Sequence, residues 1–91
     1  TLYKVTDMGG GLFLLDDTAG CMFQVTGTVA GTALQPVCKG REIYLIKTDG
    51  TGAKAFNAGG GGGTGFRNTV SLGNGETLHA IHDGTLWNLV K

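Results

Sequence analysis

His79 and His82 stand three residues apart, with Asp83 directly after the second, and are the residues of this 91-residue chain that most suggest chemistry. On a helix that spacing would set both imidazoles on one face and offer them to a metal ion. On a strand an odd separation sends them to opposite faces of the sheet. The run Glu76–His82 lies between a Gly73-Asn74-Gly75 turn and an Asp83-Gly84 turn, which makes a strand the expected setting. A metal held by both rings of one chain is therefore not expected. Only a threefold assembly, with copies of one histidine around its axis, would gather such ligands.

The remaining reactive types have plainer readings. Asp16-Asp17 closes an apolar run, and Asp49 and Asp83 each precede glycine, positions where aspartate bonds nearby backbone amides. A pair of acids for glycoside hydrolysis needs a cleft and a defined separation, and nothing in the pattern indicates either. Ser71, the only serine, has no nucleophile elbow around it. The runs Gly9–Gly11 and Gly59–Gly63 lack the following helix and the Gly-Lys-Ser/Thr of a phosphate loop. Cys21 and Cys38 have no metal-ligand spacing. They read as buried free thiols or as one disulfide. No catalytic residue, metal or cofactor is expected, and the chain reads as a non-enzyme.

A binding surface needs no reaction. Tyr3, Tyr44, Phe56, Phe66 and Trp87 could stack on sugar rings, although core packing is the expected role of each. Phe66 and Arg67 follow the long glycine run. With His79 and His82 they form the candidate ligand-binding set.

The elements that would position these residues are short. Leu2–Thr6, Leu12–Leu15 and Cys21–Thr26 read as strands separated by Gly-rich turns. Thr28–Val37 reads as a long connection with one short edge strand, because Pro36 cannot donate to a ladder. Arg41–Lys47 is the most strand-like segment. Its four consecutive apolar residues, Ile43–Ile46, imply that both faces are covered. Asp49-Gly50 turns the chain toward Ala53–Phe56 as a hairpin partner, and Asn68–Val90 reads as a three-run meander anchored by Trp87, the only tryptophan. No segment keeps an apolar period of 3.6. The expectation is a single all-β domain over residues 1–91, a small antiparallel β-sandwich of seven or eight short strands.

Composition narrows the function. Seven acidic and seven basic residues leave a formal net charge of zero, against the concentrated Lys and Arg of nucleic-acid or anionic-membrane surfaces. No apolar run approaches the roughly 20 residues of a membrane-spanning helix. Eighteen glycines against a usual share of about 7% fall mostly between apolar runs, as turn residues do. The run Gly59–Gly63 reads as a flexible loop without structure of its own. A first residue of Thr rather than Met suggests a piece of something longer.

The stretch Gly75-Glu76-Thr77-Leu78-His79-Ala80-Ile81-His82-Asp83-Gly84-Thr85-Leu86-Trp87-Asn88-Leu89-Val90 resembles the ending of small β-domains in tail fibres, tailspikes and related host-adsorption proteins of tailed bacteriophages. Arg41–Lys47 is similar to a strand of those domains, and Leu14–Gly20 to their opening strand and turn. The chain departs from the pattern at Leu86, where Asn is frequent, at the two histidines, where Thr or Ser is usual, and in its long glycine run. The resemblance implies a β-sandwich module of a fibrous virion protein, made in the host cytoplasm and carried on the virion tail. It also implies a homotrimeric shaft, tip or folding piece serving host attachment through a bacterial surface glycan or protein receptor. A carbohydrate-binding module for surface polysaccharide is the alternative.

Overall fold

The computed structural model describes residues 2–37, 39–59 and 61–91. Nine short strands run through them: β1 (Tyr3–Asp7), β2 (Leu12–Leu15), β3 (Met22–Val25), β4 (Ala33–Gln35), β5 (Glu42–Lys47), β6 (Lys54–Phe56), β7 (Val70–Leu72), β8 (Thr77–His82) and β9 (Trp87–Val90). The all-β expectation holds, and the antiparallel sandwich is corrected. Seven strands form one mixed sheet in the order β4-β2-β1-β3-β5-β8-β9, nearly closed into a barrel, while β6 and β7 form a separate two-stranded ribbon.

Parallel pairs make the difference. β1 with β3, β2 with β4 and β3 with β5 run parallel, so the turns before β3, β4 and β5 are crossovers rather than hairpins. Two glycines let those crossovers lie close to the core. A Cβ on Gly20 would stand 2.5 Å from the Tyr3 ring, and a Cβ on Gly31 would overlap the Phe13 ring. Arg41 ties down the first crossover by donating from Nη2 to the Asp17 and Gly20 carbonyls at 3.2 and 3.0 Å.

Three pairings depart from expectation. β5 pairs with the distant β8, not with β6, and β6 takes β7 as its partner. The three-run meander is therefore only a β8–β9 hairpin, with β7 branching away to the ribbon. Local turn signals mark where the chain bends. Which strand it then meets depends on long-range packing. The ends of the glycine run at Gly59 and Gly61 are also tied down by backbone bonds that its composition does not imply. Gly59 exchanges backbone hydrogen bonds with Phe66 at 3.1 and 3.2 Å, and the Thr64 N–H closes a turn onto the Gly61 carbonyl. Cys21 is exposed rather than buried, and Cys38, on which any bridge to it depends, lies outside the described residues.

Alternating residues of β2, β3, β5, β8 and β9 fill the interior. Phe13, Phe56 and Phe66 meet edge to face at 5.6 and 5.7 Å, a favoured aromatic geometry.

Segment 64–68 closes the gap between β4 and β9. The Leu34 N–H donates to the Thr64 carbonyl, the Trp87 N–H to Gly65, and the Arg67 N–H back to Trp87, all within 2.8–2.9 Å. Trp87 completes the closure with its side chain, donating from Nε1 to the Leu34 carbonyl at 3.0 Å. Two residues along β9, at Leu89, the carboxamide of Asn68 does the work of a strand. It accepts from the Leu89 N–H at 3.0 Å and donates to the Leu89 carbonyl at 2.8 Å. An exposed sheet edge invites pairing with other chains, and here two residues of it are satisfied internally.

Trp87→Phe keeps a ring in the core but leaves the buried Leu34 carbonyl without its donor, and is expected to cost about 1–3 kcal/mol. Trp87→Ala, which also opens a cavity, is expected to cost about 3–5 kcal/mol. Urea denaturation of both variants tests the ranking, and an unchanged midpoint for Trp87→Ala would remove the anchor role.

Candidate functional site

Strand parity acts on β8 as expected. Leu78, Ala80 and His82 point into the core, while Thr77, His79 and Ile81 point outward. The two histidines are on opposite faces. Among the described residues, no group of three or more His, Cys, Asp or Glu side chains comes together as a metal site would.

His82 is buried, edge to face with Trp87 at 5.1 Å. Its Nδ1 accepts from the Gly84 N–H at 3.1 Å, and its Nε2 lies 2.6 Å from the Gly63 carbonyl. An acceptor at Nδ1 and a donor at Nε2 define one neutral tautomer. The ring therefore links the β8–β9 turn to the glycine run. Asp83 beside it accepts from the backbone of Leu86 and Thr85 at 3.0 and 2.8 Å, from Asn88 Nδ2 at 3.0 Å, and from Arg67 Nη2. These bonds, the Leu86 amide foremost, hold its carboxyl well below the ordinary value of 3.8.

Of the four candidate ligand residues, then, two are interior. Phe66 packs inside the core against Phe56, with no face left for a sugar, and His82 is enclosed. Arg67 is at the surface, paired with Asp83. His79 is half-buried on the outer face, stacked on Tyr44 with ring centroids 4.5 Å apart, and its Nε2 lies 3.4 Å from Glu42. The structure does not bring these four residues to one place.

The outer face of β5 corrects another expectation. Ile43 and Leu45 are buried, but Tyr44 is exposed and Ile46 half-buried, so within one chain only one face of this strand is covered. The same parity carries Lys47 inward, where it is fully buried at the end of the barrel. Its Nζ donates to Asp49 at 2.6 Å and to the Thr51 hydroxyl, while the second Asp49 oxygen accepts from the Gly27 N–H at 2.7 Å. The Lys47 ammonium, followed by the Gly27 amide, holds Asp49 well below 3.8. Lys54 enters the same end of the barrel from β6, its Nζ 4.5 Å over the Phe13 ring, and burial pushes its ammonium below the ordinary 10.5. Neither lysine was part of the candidate set. The inward parity of Lys47 after Ile43 and Leu45 was the available signal. Lys54 carried none, because its ribbon pairs non-locally.

Comparison with protein-family models, with curated proteins and with solved structures found no match to this chain.

Asp49 and Asp83 both have carboxyls depressed in the folded state. The stability they add is present above their unfolded value near 3.8 and is lost as pH falls from there toward the lower folded values. Thermal melts should show a steep acid limb below that pH, flattened in Asp49→Asn and Asp83→Asn, and an unchanged limb in both would refute the assignment. Lys54 has the opposite sign, because a lowered base pKa makes its charged form a cost that fades as pH rises toward 10.5. Lys54→Met, which keeps the buried stem, should therefore raise the melting temperature at neutral pH.

Proposed function

We propose that the chain is a non-enzymatic structural module of a phage tail fibre or tailspike, serving host attachment as part of a trimeric shaft or tip on the virion tail. The observation that carries this reading is the employment of its reactive side chains. His82, Asp83, Lys47 and Asp49 each make two or more hydrogen bonds within the fold; these close their own turns and tie those turns to Gly63, Arg67 and Gly27 in other segments. A histidine whose two nitrogens both bond backbone cannot also shuttle protons to a substrate without breaking that link. The resemblance over residues 75–90 supports the same reading, since its Asp-Gly-Thr turn and Trp87 are used here for closure.

One observation favours a second reading, carbohydrate binding. Tyr44 is exposed in the middle of the outer face and takes the place that Phe66 held among the candidate aromatics.

Labelled chain incubated with bacterial cells and their purified surface polysaccharides tests both readings. Adsorption to cells without release of new reducing ends is expected, and release of reducing ends would overturn the non-enzymatic reading. Antibodies raised against the chain should decorate the tails of the parent particle. Decoration confined to lysate protein outside particles would overturn the virion assignment.

A further inference from the structure

Of the four asparagines in the chain, only Asn74 is followed by glycine. That dipeptide carries its own chemistry. The backbone nitrogen of the following residue can attack the asparagine Cγ, and a glycine there has no Cβ to hinder the approach. A new N–C bond closes a cyclic succinimide while the Cγ–Nδ2 bond breaks. The departing amide nitrogen takes up the backbone proton and leaves as ammonia. Water then opens either imide bond, giving aspartate or, with an extra methylene in the main chain, isoaspartate. Water is the only co-reactant.

Asn74 and Gly75 are both exposed, in the connection between β7 and β8. The Glu76 N–H donates to the Gly73 carbonyl at 3.1 Å, and Gly75 has φ of 85°, so the pair forms the middle of a tight turn that needs glycine at its third position. Exposure alone would leave this turn open to reaction. Two hydrogen bonds from the end of β5 and the turn after it oppose that. The Gly75 N–H donates to the Lys47 carbonyl at 2.6 Å, and Asn74 Oδ1 accepts from the Gly50 N–H at 2.8 Å. The first keeps on the nucleophile the proton it must lose. The second anchors the carboxamide, which has to leave its place to close the ring.

The anchoring turn is fastened in its own right. Asp49 accepts from Lys47 Nζ at 2.6 Å, from the Thr51 N–H at 3.2 Å and from the Gly27 N–H at 2.7 Å. The buried ion pair at the end of the barrel therefore fixes the two groups that hold Asn74-Gly75.

We propose that Asn74 is a latent deamidation site, kept unreacted by the Lys47–Gly50 turn and released when that turn opens. The reaction runs one way. Isoaspartate lengthens the main chain just before Gly75 and displaces its N–H from the Lys47 carbonyl, so the turn does not reclose as before. Asp49-Gly50 and Asp83-Gly84 form the same imide only from a neutral carboxyl, and both carboxyls are held ionised by their hydrogen bonds. Their isomerisation also changes neither mass nor charge, so it does not obscure the signal from Asn74.

Incubation of the full chain in mildly alkaline buffer tests this, read by peptide mass spectrometry and by anion exchange, which resolves one new carboxylate on a chain of zero net charge. The chain unfolded in guanidinium should react at Asn74 before the other three asparagines. The native chain should react there at least about tenfold more slowly, by the cost of opening the turn. Asp49→Ala, and the milder Thr51→Val, should speed the native reaction. Trp87→Phe, which weakens the fold at the other end of β8, should not, with circular dichroism melts to establish that each variant folds. Equal rates in the native and unfolded chains would overturn the restraint, and another asparagine reacting first in the unfolded chain would overturn the site. Acceleration by Trp87→Phe as large as by Asp49→Ala and Thr51→Val would show release by global unfolding and overturn the role of the turn.

Discussion

Trp87 is the point at which the two ends of the sheet become one body. Its backbone pairs with the segment that fills the gap, and its indole N–H reaches the Leu34 carbonyl on the strand at the opposite end of the sheet order. A mixed sheet of seven strands curls under its own twist, but curling alone leaves two open edges. The indole is long enough to cross the remaining distance and apolar enough to be buried while doing so. His82 packs on the same ring and extends the closure to the glycine run. Residues that look reactive in the sequence thus act as fasteners.

The polar interior follows a second constraint. A barrel this small has ends its apolar side chains cannot fill, and lysine stems enter one of them. Lys47 is buried with a carboxylate and a hydroxyl as partners, while Lys54 has an aromatic face and a lowered affinity for its proton. The difference is physical: a buried cation with a hydrogen-bonded counter-ion is accommodated, and one without is expensive to keep charged.

Outside, the sheet presents a different economy. The outer side chains of β3, β5, β8 and β9 are neither as charged as an ordinary solvent face nor as enclosed as a core. The four apolar residues of Ile43–Ile46 suggested a strand covered on both sides. One chain supplies only one of those covers.

The sequence by itself determined the strands, the turns and the facing of individual residues, because these depend on local chemistry with a period of two. It placed β5, β8 and β9 and separated His79 from His82. It also singled out Trp87 and allowed one short edge strand within residues 28–37, where β4 stands at the end of the sheet order. Only the tertiary structure decided the pairing of β5 with β8, the parallel crossovers, the β6–β7 ribbon and the burial of Phe66. Each of these depends on which distant segment fills the space beside a strand, and glycine turns permit several answers. The Asn68 carboxamide that stands in for a strand beside Leu89 was illegible for the same reason. Its partners lie 21 residues away, and the amide acquires its role only once the sheet has curled to meet it.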